Sequence, residues 1–362
     1  MHPRSRIILL LLAAAALQSC DGESAVAEGR SGARTLLAGA ATPLVTAGTP
    51  IVAKPDWISE DRAGRIVVTD VSDRDVKRYD ARGNALGVLG RAGQGPGEFS
   101  ALRTAQVYRD SVVAYDLVDG RLSVFGPDGR FARAITLGSP DRSAPFLVRV
   151  VDDSLFLLVA AIPGAQNRAL LTVARPDGTI RSSFLRLGDY VGTNPQVLGA
   201  IGLIADATDG RVFATVAGGD SVWAFDYDGR RLAAFAADPV QPLRTTRSLV
   251  EANGGRIRRA SGGYVVDGNR MVIGLVALDS GSVALQISPY DGRVGVDPEE
   301  GGTMVVSTLS GSGGRAIARQ EMNGALLGRD RRGRLLLLRY TSPEADAHEL
   351  VRVSLAPPGG AP

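Results

Sequence analysis

The stretch DRAGRIVVTDVSDRDVKRYDARGNALGVLGRAGQGPGEF, residues 61–99, sets the pattern for much of this chain. Short β-rich runs such as VVTD and VKRY alternate with turns that contain Asp and Gly. An Asp-Gly turn between two such runs is typical of a hairpin, because glycine adopts the positive φ that a tight turn requires. The stretch therefore predicts consecutive antiparallel strands.

Similar turns recur along the chain and mark an internal repeat. One set of turns follows short apolar runs, and its glycines are Gly83, Gly129, Gly178, Gly229 and Gly292. These glycines lie 46, 49, 51 and 63 residues apart, a period that suits a four-stranded propeller blade with growing loop insertions. A second set of six runs begins at Arg65, Ser111, Ser154, Arg211, Arg270 and Arg334. Six strand pairs predict an all-β, six-bladed β-propeller. The strands of two β-sandwiches would not repeat in matched pairs, and a β-helix has a shorter period.

The two ends of the chain are expected to meet in the last blade. The run LVRVSL at residues 350–355 would be its third strand, and residues 43–53 would supply an N-terminal strand that closes the ring. We therefore place the propeller at residues 35–355 and a disordered tail at residues 356–362. One helix candidate, residues 243–253, lies in the longest insertion.

Residues 57–131 resemble the NHL repeat. That family combines an Asp-x-x-Gly-Arg turn, a strand that ends in Asp, a strand that ends in aromatic-Asp, and a Gly-x-Gly-x-Gly-Pro-Gly-x-Phe segment. The matching positions are Asp61, Gly64, Arg65, Asp70, Tyr79, Asp80, Gly83, Gly93, Gly95, Pro96, Gly97, Glu98 and Phe99, with Asp116, Phe125, Asp128, Gly129 and Arg130 in blade two. By blade five only the turn spacing is similar. The resemblance implies a six-bladed propeller of the type found in bacterial lipoproteins.

The glycine-rich run GRAGQGPGEF, residues 90–99, could cradle a phosphate or turn the backbone. A phosphate loop requires a helix N-terminus after it and usually a Lys-Ser/Thr pair. Here Pro96 and a Glu-Phe pair lead into another β unit. We therefore predict a structural turn from blade one to blade two, with Phe99 packed between the two blades.

The N-terminus resembles a bacterial lipoprotein signal peptide. A basic start precedes an apolar run, residues 7–17, that is far shorter than the ~20 residues needed to span a bilayer. The run ends in a lipobox-like Leu-Gln-Ser-Cys, in which Cys20 is the only cysteine of the chain. We predict a signal peptide at residues 1–19, then lipidated Cys20 and a flexible tether at residues 20–34. An ordinary signal peptide with a stray cysteine is the alternative.

Charge and composition limit the class of function. Of the 41 Lys and Arg residues, Arg4 and Arg6 leave with the signal peptide, so 39 cations remain against 38 acids. This balance, together with export, argues against nucleic acid as a partner. The histidines are His2 and His348, so neither a His-metal cluster nor a His-based triad is expected.

Arginines near the predicted inner strands indicate a ligand site. A basic mouth could bind an anionic small molecule, an anionic polymer or a protein. The candidate ligand residues are Arg103, Arg149, Arg256, Arg258, Arg259 and Arg319. The loops at residues 239–263 and 296–319 are expected to carry recognition. The acidic and amide candidates, Asp56, Glu60, Glu321 and Asn323, are fewer than the arginines, so no metal or other cofactor is expected.

These features favour a monomeric binding or scaffolding module over an enzyme. We expect it in the bacterial cell envelope, attached to a membrane by lipid on the periplasmic side or at the cell surface. The alternative is a metal-dependent hydrolase or lyase, similar to the gluconolactonase-like propellers that hold a divalent metal on the axis. Three or more convergent carboxylate or amide oxygens on the axis would favour the enzyme, whereas an arginine-lined or apolar mouth would favour the binder.

Overall fold

The computed structural model describes residues 34–44, 52–137, 144–160, 169–186, 203–216, 219–243, 258–260, 263–265, 270–288, 302–342 and 347–357. Within these ranges the regular structure consists of β-strands, and no helix is present. None of the described residues belongs to a helix with the length and apolar character that crossing a bilayer requires. Of the helix candidate at 243–253, all residues except Leu243 lie outside the described ranges.

The strands form six sheets and one short separate hairpin. The first two strands are β1 (Leu36–Ala38) and β2 (Thr42–Leu44). Blade one contains β3 (Pro55–Glu60), β4 (Ile66–Asp70), β5 (Asp75–Tyr79) and β6 (Ala85–Leu89). Blade two contains β7 (Leu102–Tyr108), β8 (Ser111–Asp116), β9 (Arg121–Phe125) and β10 (Phe131–Thr136). Blade three contains β11 (Leu147–Val151), β12 (Leu155–Val159), β13 (Leu171–Ala174) and β14 (Ile180–Phe184).

The second half of the chain continues this order. Blade four contains β15 (Leu203–Thr208), β16 (Arg211–Val216), β17 (Ser221–Asp226) and β18 (Arg231–Ala236). The separate hairpin is β19 (Arg258–Ala260) and β20 (Gly263–Val265). Blade five contains β21 (Val272–Ala277), β22 (Ser282–Ile287), β23 (Gly302–Ser310) and β24 (Gly313–Met322). Blade six contains β25 (Ala325–Arg329), β26 (Leu335–Ser342) and β27 (Ala347–Leu355), completed by β1 and β2.

The blades surround a common axis. The first strand of each blade is the inner strand, and β3, β7, β11, β15, β21 and β25 each contact the inner strands on both sides. Because β25 also contacts β3, the ring is closed. This arrangement confirms the predicted six-bladed all-β propeller.

The N-terminus closes blade six, as expected, but through different residues. Within β1, Leu36 lies opposite Leu355, and within β2, Leu44 lies opposite His348. Of the expected segment 43–53, Pro43 and Leu44 take part in this pairing, and residues 45–51 lie outside the described ranges. Leu36 and Leu44 are both buried, the first between blades five and six and the second between blades six and one. Burial of these two leucines accounts for the choice of strands.

The hydrophobic core is divided among the contacts between neighbouring blades. Among the described residues there are six buried apolar clusters, one for each pair of adjacent blades. Strands in the middle of a blade are covered on both sides, so they carry continuous apolar runs such as LFLLV in β12, all of whose residues are buried. Trp57 and Trp223 belong to two of these clusters. Each blade is therefore stabilised mainly by its two neighbours.

The glycine-rich run at residues 90–99 forms the turn from blade one to blade two. Gly90 has a φ of 71°, and a Cβ added there would lie 2.2 Å from the Phe99 ring. Phe99 is fully buried between the two blades. The guanidinium of Arg121 donates to the backbone carbonyls of Gly95 and Glu98, at 3.1 Å each. The run leads into β7, so the structural interpretation of its glycines is confirmed.

A recurrent turn explains several matching positions of the repeat. The carboxylates of Asp61, Asp80, Asp226 and Asp330 each accept hydrogen bonds from the amides of the residues two and four positions later. A glycine with positive φ lies three positions after each of them. The Asp side chain thus satisfies the amides of a turn whose shape requires glycine. In blades one and six this turn joins the inner strand to the second strand.

Blade five differs from the predicted alignment. Gly292 lies outside the described residues, between the second and third strands, whereas its counterparts lie between the third and fourth. The run that begins at Arg270 forms the inner strand rather than the second strand. Much of the segment 296–319, expected to be a recognition loop, belongs instead to strands β23 and β24. The turn between them uses Gly311 with a φ of 59°, so the Asp-Gly signal at residue 292 was misassigned.

Candidate functional site

A cavity of about 260 Å³ lies on the propeller axis. It is bounded by the C-terminal ends of the inner strands and by the turns that lead to the second strands. We call it the axial cavity, and we call the face formed by these turns the cavity face. Its charged lining residues are Glu60, Asp152, Asp153, Asp206, Asp209, Asp330, Arg329 and Arg331. The lining therefore holds more carboxylates than guanidinium groups.

Two hairpin turns place carboxylates at the cavity. Asp152 and Asp153 follow β11 with φ values of 49° and 53°, and Asp209 follows β15 with a φ of 49°. Positive φ is characteristic of tight hairpin turns, and Asp tolerates it better than most residues. The residues that suit these turns therefore also bring three carboxylates to the axis.

One wall of the axial cavity is Trp57, which is backed by Arg149. The guanidinium of Arg149, on β11, lies 3.4 Å from the centre of the Trp57 ring and donates to Oγ1 of Thr104 at 3.2 Å. Burial lowers the pKa of Arg149 to about 10, although the charges of Asp206 and Asp56 act in the opposite direction. The contact joins the inner strands of blades one, two and three beside the axis.

Asp206 is, with Asp330, one of two lining carboxylates that are almost completely buried. It lies on β15 with 4% of its surface exposed, and its Oδ2 accepts from the amide of Ala277 at 3.0 Å. Burial raises its pKa, while Arg149 and Arg329 favour the charged form less strongly. A buried carboxylate with a perturbed pKa in a cavity is typical of a functional site.

The rim of the cavity is held by contacts across the axis. Asp153 of blade three lies 3.9 Å from the guanidinium groups of both Arg62 in blade one and Arg331 in blade six. The backbone carbonyl of Asp153 accepts from Nε of Arg109 at 3.2 Å. Opposite charges from four blades therefore converge on one turn and narrow the opening.

Asp152, the neighbour of Asp153, links blades three and four. Its Oδ2 accepts from the hydroxyl of Tyr227 at 2.5 Å, and its Oδ1 accepts from the amide of Asp209 at 2.9 Å. Burial, followed by the bond to Asp152, raises the pKa of Tyr227. The Asp152 turn is thereby fixed in place at the mouth.

Of the six arginines predicted to bind a ligand, Arg103 and Arg149 lie near each other, because the charge of Arg103 acts on the pKa of Arg149. Arg103 is on β7 and pairs with Asp56 at 2.6 Å, whereas Arg319 is on β24, at the outer edge of blade five. Arg256 lies outside the described residues, and the backbones of Arg258 and Arg259 form part of β19. Ligand binding by these six residues, and lipidation of Cys20, which also lies outside the described ranges, stay predictions.

Arg319 has a structural partner at the junction of blades four and five. Its guanidinium lies 3.1 Å from the fully buried carboxylate of Asp238, which also pairs with Arg270 at 3.4 Å. Burial alone would raise the pKa of Asp238, but the bond to Arg319 and the amide of Gln241 outweigh it and lower the pKa. This cluster joins two blades at their periphery.

One acidic cluster has the geometry of a metal site but already contains a cation. Asp70, Asp73 and Asp75 are the only described residues that bring three carboxylates within mutual metal reach. The ammonium of Lys77 lies 2.7 Å from Asp70, 2.7 Å from Asp73 and 3.1 Å from Asp75. Burial would lower the pKa of Lys77, but the bonds to these carboxylates raise it. The cluster is therefore an ion-pair network within blade one, in which Lys77 and Asp70 are buried and Asp73 is exposed.

Sequence reasoning missed most of the axial cavity. Glu60 was named among the acidic candidates, but Asp152, Asp206, Asp209 and Arg329 were not. A usable signal existed, because Asp152 and Asp209 sit in turns directly after inner strands, where side chains meet at the axis. Asp206, in contrast, lies inside strand β15, where its charge alone distinguishes it from the residues around it.

Comparison with known proteins supports the fold. No family model and no curated protein match this chain. A member of the DUF4221 family from Bacteroides vulgatus is similar in structure, with a TM-score of 0.62 and 10% identity over 90% of this chain and 99% of that chain. A Bacteroides fragilis protein described as exported has a TM-score of 0.58 and 11% identity, over 89% of this chain and 96% of that chain. At such identity these similarities show a shared propeller architecture alone.

Proposed function

We propose that this protein is an exported lipoprotein whose propeller binds a small polar ligand in the axial cavity. The observation that carries the proposal is the cavity of about 260 Å³, where strand ends and turns of five blades bring together charged side chains. Cavities at the mouth of closed β architectures are common ligand sites, and a few convergent polar groups provide specificity in them. The buried Asp206 lies in this cavity without a side-chain donor among the described residues.

Binding is better supported than metal-dependent hydrolysis. A lactonase-type site would need three or more convergent oxygen ligands on the axis. Among the described residues, the carboxylates of the axial cavity do not form such a group, since the one that exists surrounds Lys77 in blade one. The axial carboxylates and guanidinium groups suit the recognition of a polar molecule.

The location of the protein is part of the proposal. Its support is the lipobox-like sequence that ends in Cys20, the resemblance of residues 57–131 to the NHL repeat of bacterial lipoproteins, and the exported character ascribed to the similar Bacteroides fragilis protein. The Cys20→Ala variant should move from the membrane fraction to the soluble fraction and lose lipid labelling. Continued lipid labelling of this variant would refute the anchor.

Ligand binding is tested by filling the cavity. Val107 lines it, and Val107→Trp would occupy much of its volume. Val118 is 69% exposed in a turn on the other face of the ring, so Val118→Trp adds the same side chain away from the cavity. Full-length protein in detergent would be screened by saturation-transfer NMR against small cations, carboxylates and sugars. We expect Val107→Trp alone to abolish binding; binding that survives it would contradict the proposed site.

A further inference from the structure

The carboxylates around the axial cavity fall into two sets. Members of the first set each have a guanidinium partner. The pairs are Glu60 with Arg352 at 2.8 Å, Asp330 with Arg334 at 2.6 Å, and Asp153 with Arg62 and Arg331 at 3.9 Å each. The first two pairs are neutral, whereas Asp153 faces two guanidinium groups, so this set carries one excess positive charge at the rim.

The second set, Asp152, Asp206 and Asp209, has no cationic partner within hydrogen-bond or ion-pair distance among the described residues. The carboxylate of Asp152 accepts only from a tyrosine hydroxyl and a backbone amide. That of Asp206 accepts only from backbone amides. No donor to the side chain of Asp209 is found among the described residues, and this residue is exposed at the mouth.

Two guanidinium groups near the cavity have no anionic partner at contact distance within the part of the chain that the structure describes. Arg149 donates to the hydroxyl of Thr104 and stacks on Trp57. Arg329 donates to the hydroxyl of Thr208 and to the backbone carbonyl of Leu278. Both act on Asp206 only through longer-range attraction.

The charges of this second set do not balance. Three carboxylates stand against two guanidinium groups, and the excess guanidinium beside Asp153 at the rim offsets the remaining negative charge without contacting Asp206. Asp206 is more than nine-tenths buried, where a charge without a direct partner is costly and water screens it poorly. A ligand with one positive charge would supply the missing partner.

We infer that the axial cavity binds a small organic monocation, whose ammonium or guanidinium group pairs with Asp206. The inference rests on the proposed function and specifies its ligand class. Ammonium and guanidinium groups offer several N–H donors, which match the free acceptor positions of a carboxylate. The rim, whose carboxylates are paired with guanidinium groups, leaves room for a small molecule. The ion pairs of Asp153 across the mouth oppose entry of a folded protein.

The inference is tested with defined probes on full-length protein in detergent. The cationic probes are ethanolamine and methylguanidine, and the comparison probes are succinate, erythritol and calcium ions. We expect the cations to bind and Asp206→Asn to weaken them by about ten-fold or more, as loss of a charged hydrogen bond does. Asp128→Asn, at an exposed carboxylate in the outer turn of blade two, is the matched control and should leave binding unchanged.

The possible outcomes distinguish an error in the ligand class from an error in the binding site. The melting temperature of Asp206→Asn is measured in parallel, so that a loss of binding can be told apart from a loss of folding. Binding of succinate or calcium ions in place of the cations, blocked by Val107→Trp, would overturn the inference and leave the proposed function standing. Cation binding that is insensitive to Asp206→Asn would overturn the inference as well. Absence of binding by every probe would count against both.

Discussion

Gly83→Ala is the most direct test of how the ring is closed. Gly83 lies in the turn between β5 and β6 with a φ of 87°, and an added Cβ would lie 1.9 Å from the backbone oxygen of Pro43. Atoms cannot approach so closely, so either the turn of blade one or strand β2 must move. Pro43 belongs to β2, which completes blade six, so the substitution would push the closing strand away from β27.

A matched variant, Gly178→Ala, separates the cost of the left-handed backbone from the cost of displacing β2. Gly178 occupies the equivalent turn of blade three with a φ of 86°, and a Cβ there would meet nothing within 4 Å. Both alanines should cost about 1–2 kcal/mol for the left-handed backbone. Only Gly83→Ala should also expose Leu44, whose burial contributes about 1.5–3 kcal/mol. We therefore expect Gly83→Ala to lower the free energy of unfolding by about 2 kcal/mol more than Gly178→Ala.

Urea unfolding, followed by the fluorescence of Trp57 and Trp223, measures this difference. Limited proteolysis offers a second readout, because a displaced β2 should make the N-terminal segment easier to cleave in Gly83→Ala alone. Equal losses of stability in the two variants, with equal rates of cleavage, would refute the closure described for blade six.

Three further predictions concern the turns and the junctions between blades. Gly90→Ala should destabilise the protein by about 2 kcal/mol or more in urea unfolding, because φ is positive and the Phe99 ring occupies the place of the Cβ; no loss would contradict this packing. Asp330→Ala should cost about 1–3 kcal/mol by the same assay, since it leaves two turn amides and Arg334 without their acceptor; Asp330→Asn should recover part of that loss. Because the pKa of Asp238 is lower in the folded protein than in the unfolded chain, the ionised carboxylate stabilises the fold at pH values above the unfolded pKa of about 3.9. This contribution is lost as the pH falls through the folded pKa. Asp238→Asn should therefore flatten the acid side of the stability profile, and an unchanged slope would contradict the coupling to Arg319.

The repeat was predictable from sequence because its signals are local. Gly83, Gly129, Gly178 and Gly229 occupy the expected turns, each with φ between 80° and 87°. Each turn needs a positive φ that few residues other than glycine adopt readily. Blade five departs from the pattern because its long hairpin β23–β24 turns at Gly311 without an Asp-Gly pair.

The axial cavity was largely unpredictable for a different physical reason. Its lining is assembled from short runs of residues at the ends of inner strands in five blades, so Glu60 and Arg329 are far apart in sequence but share one cavity. No sequence motif indicates that these residues meet in one cavity. The partners that neutralise some of these charges, such as Arg352 for Glu60, come from yet other strands. A count of arginines near inner strands therefore did not indicate the carboxylates that line this cavity.

The pairing of β1 with β27 has a mechanical consequence. Arg34 enters blade six beside the last strand of the chain, where its Nε donates to the backbone oxygen of Ala356 at 2.5 Å and its amide donates to Ile317 at 2.6 Å. A pulling force applied at the N-terminus would thus reach the seam between the first and last strands before any other blade. The hydrogen bonds between β1 and β27 would therefore bear the force first, and their rupture would open the ring while blades two to four stay folded.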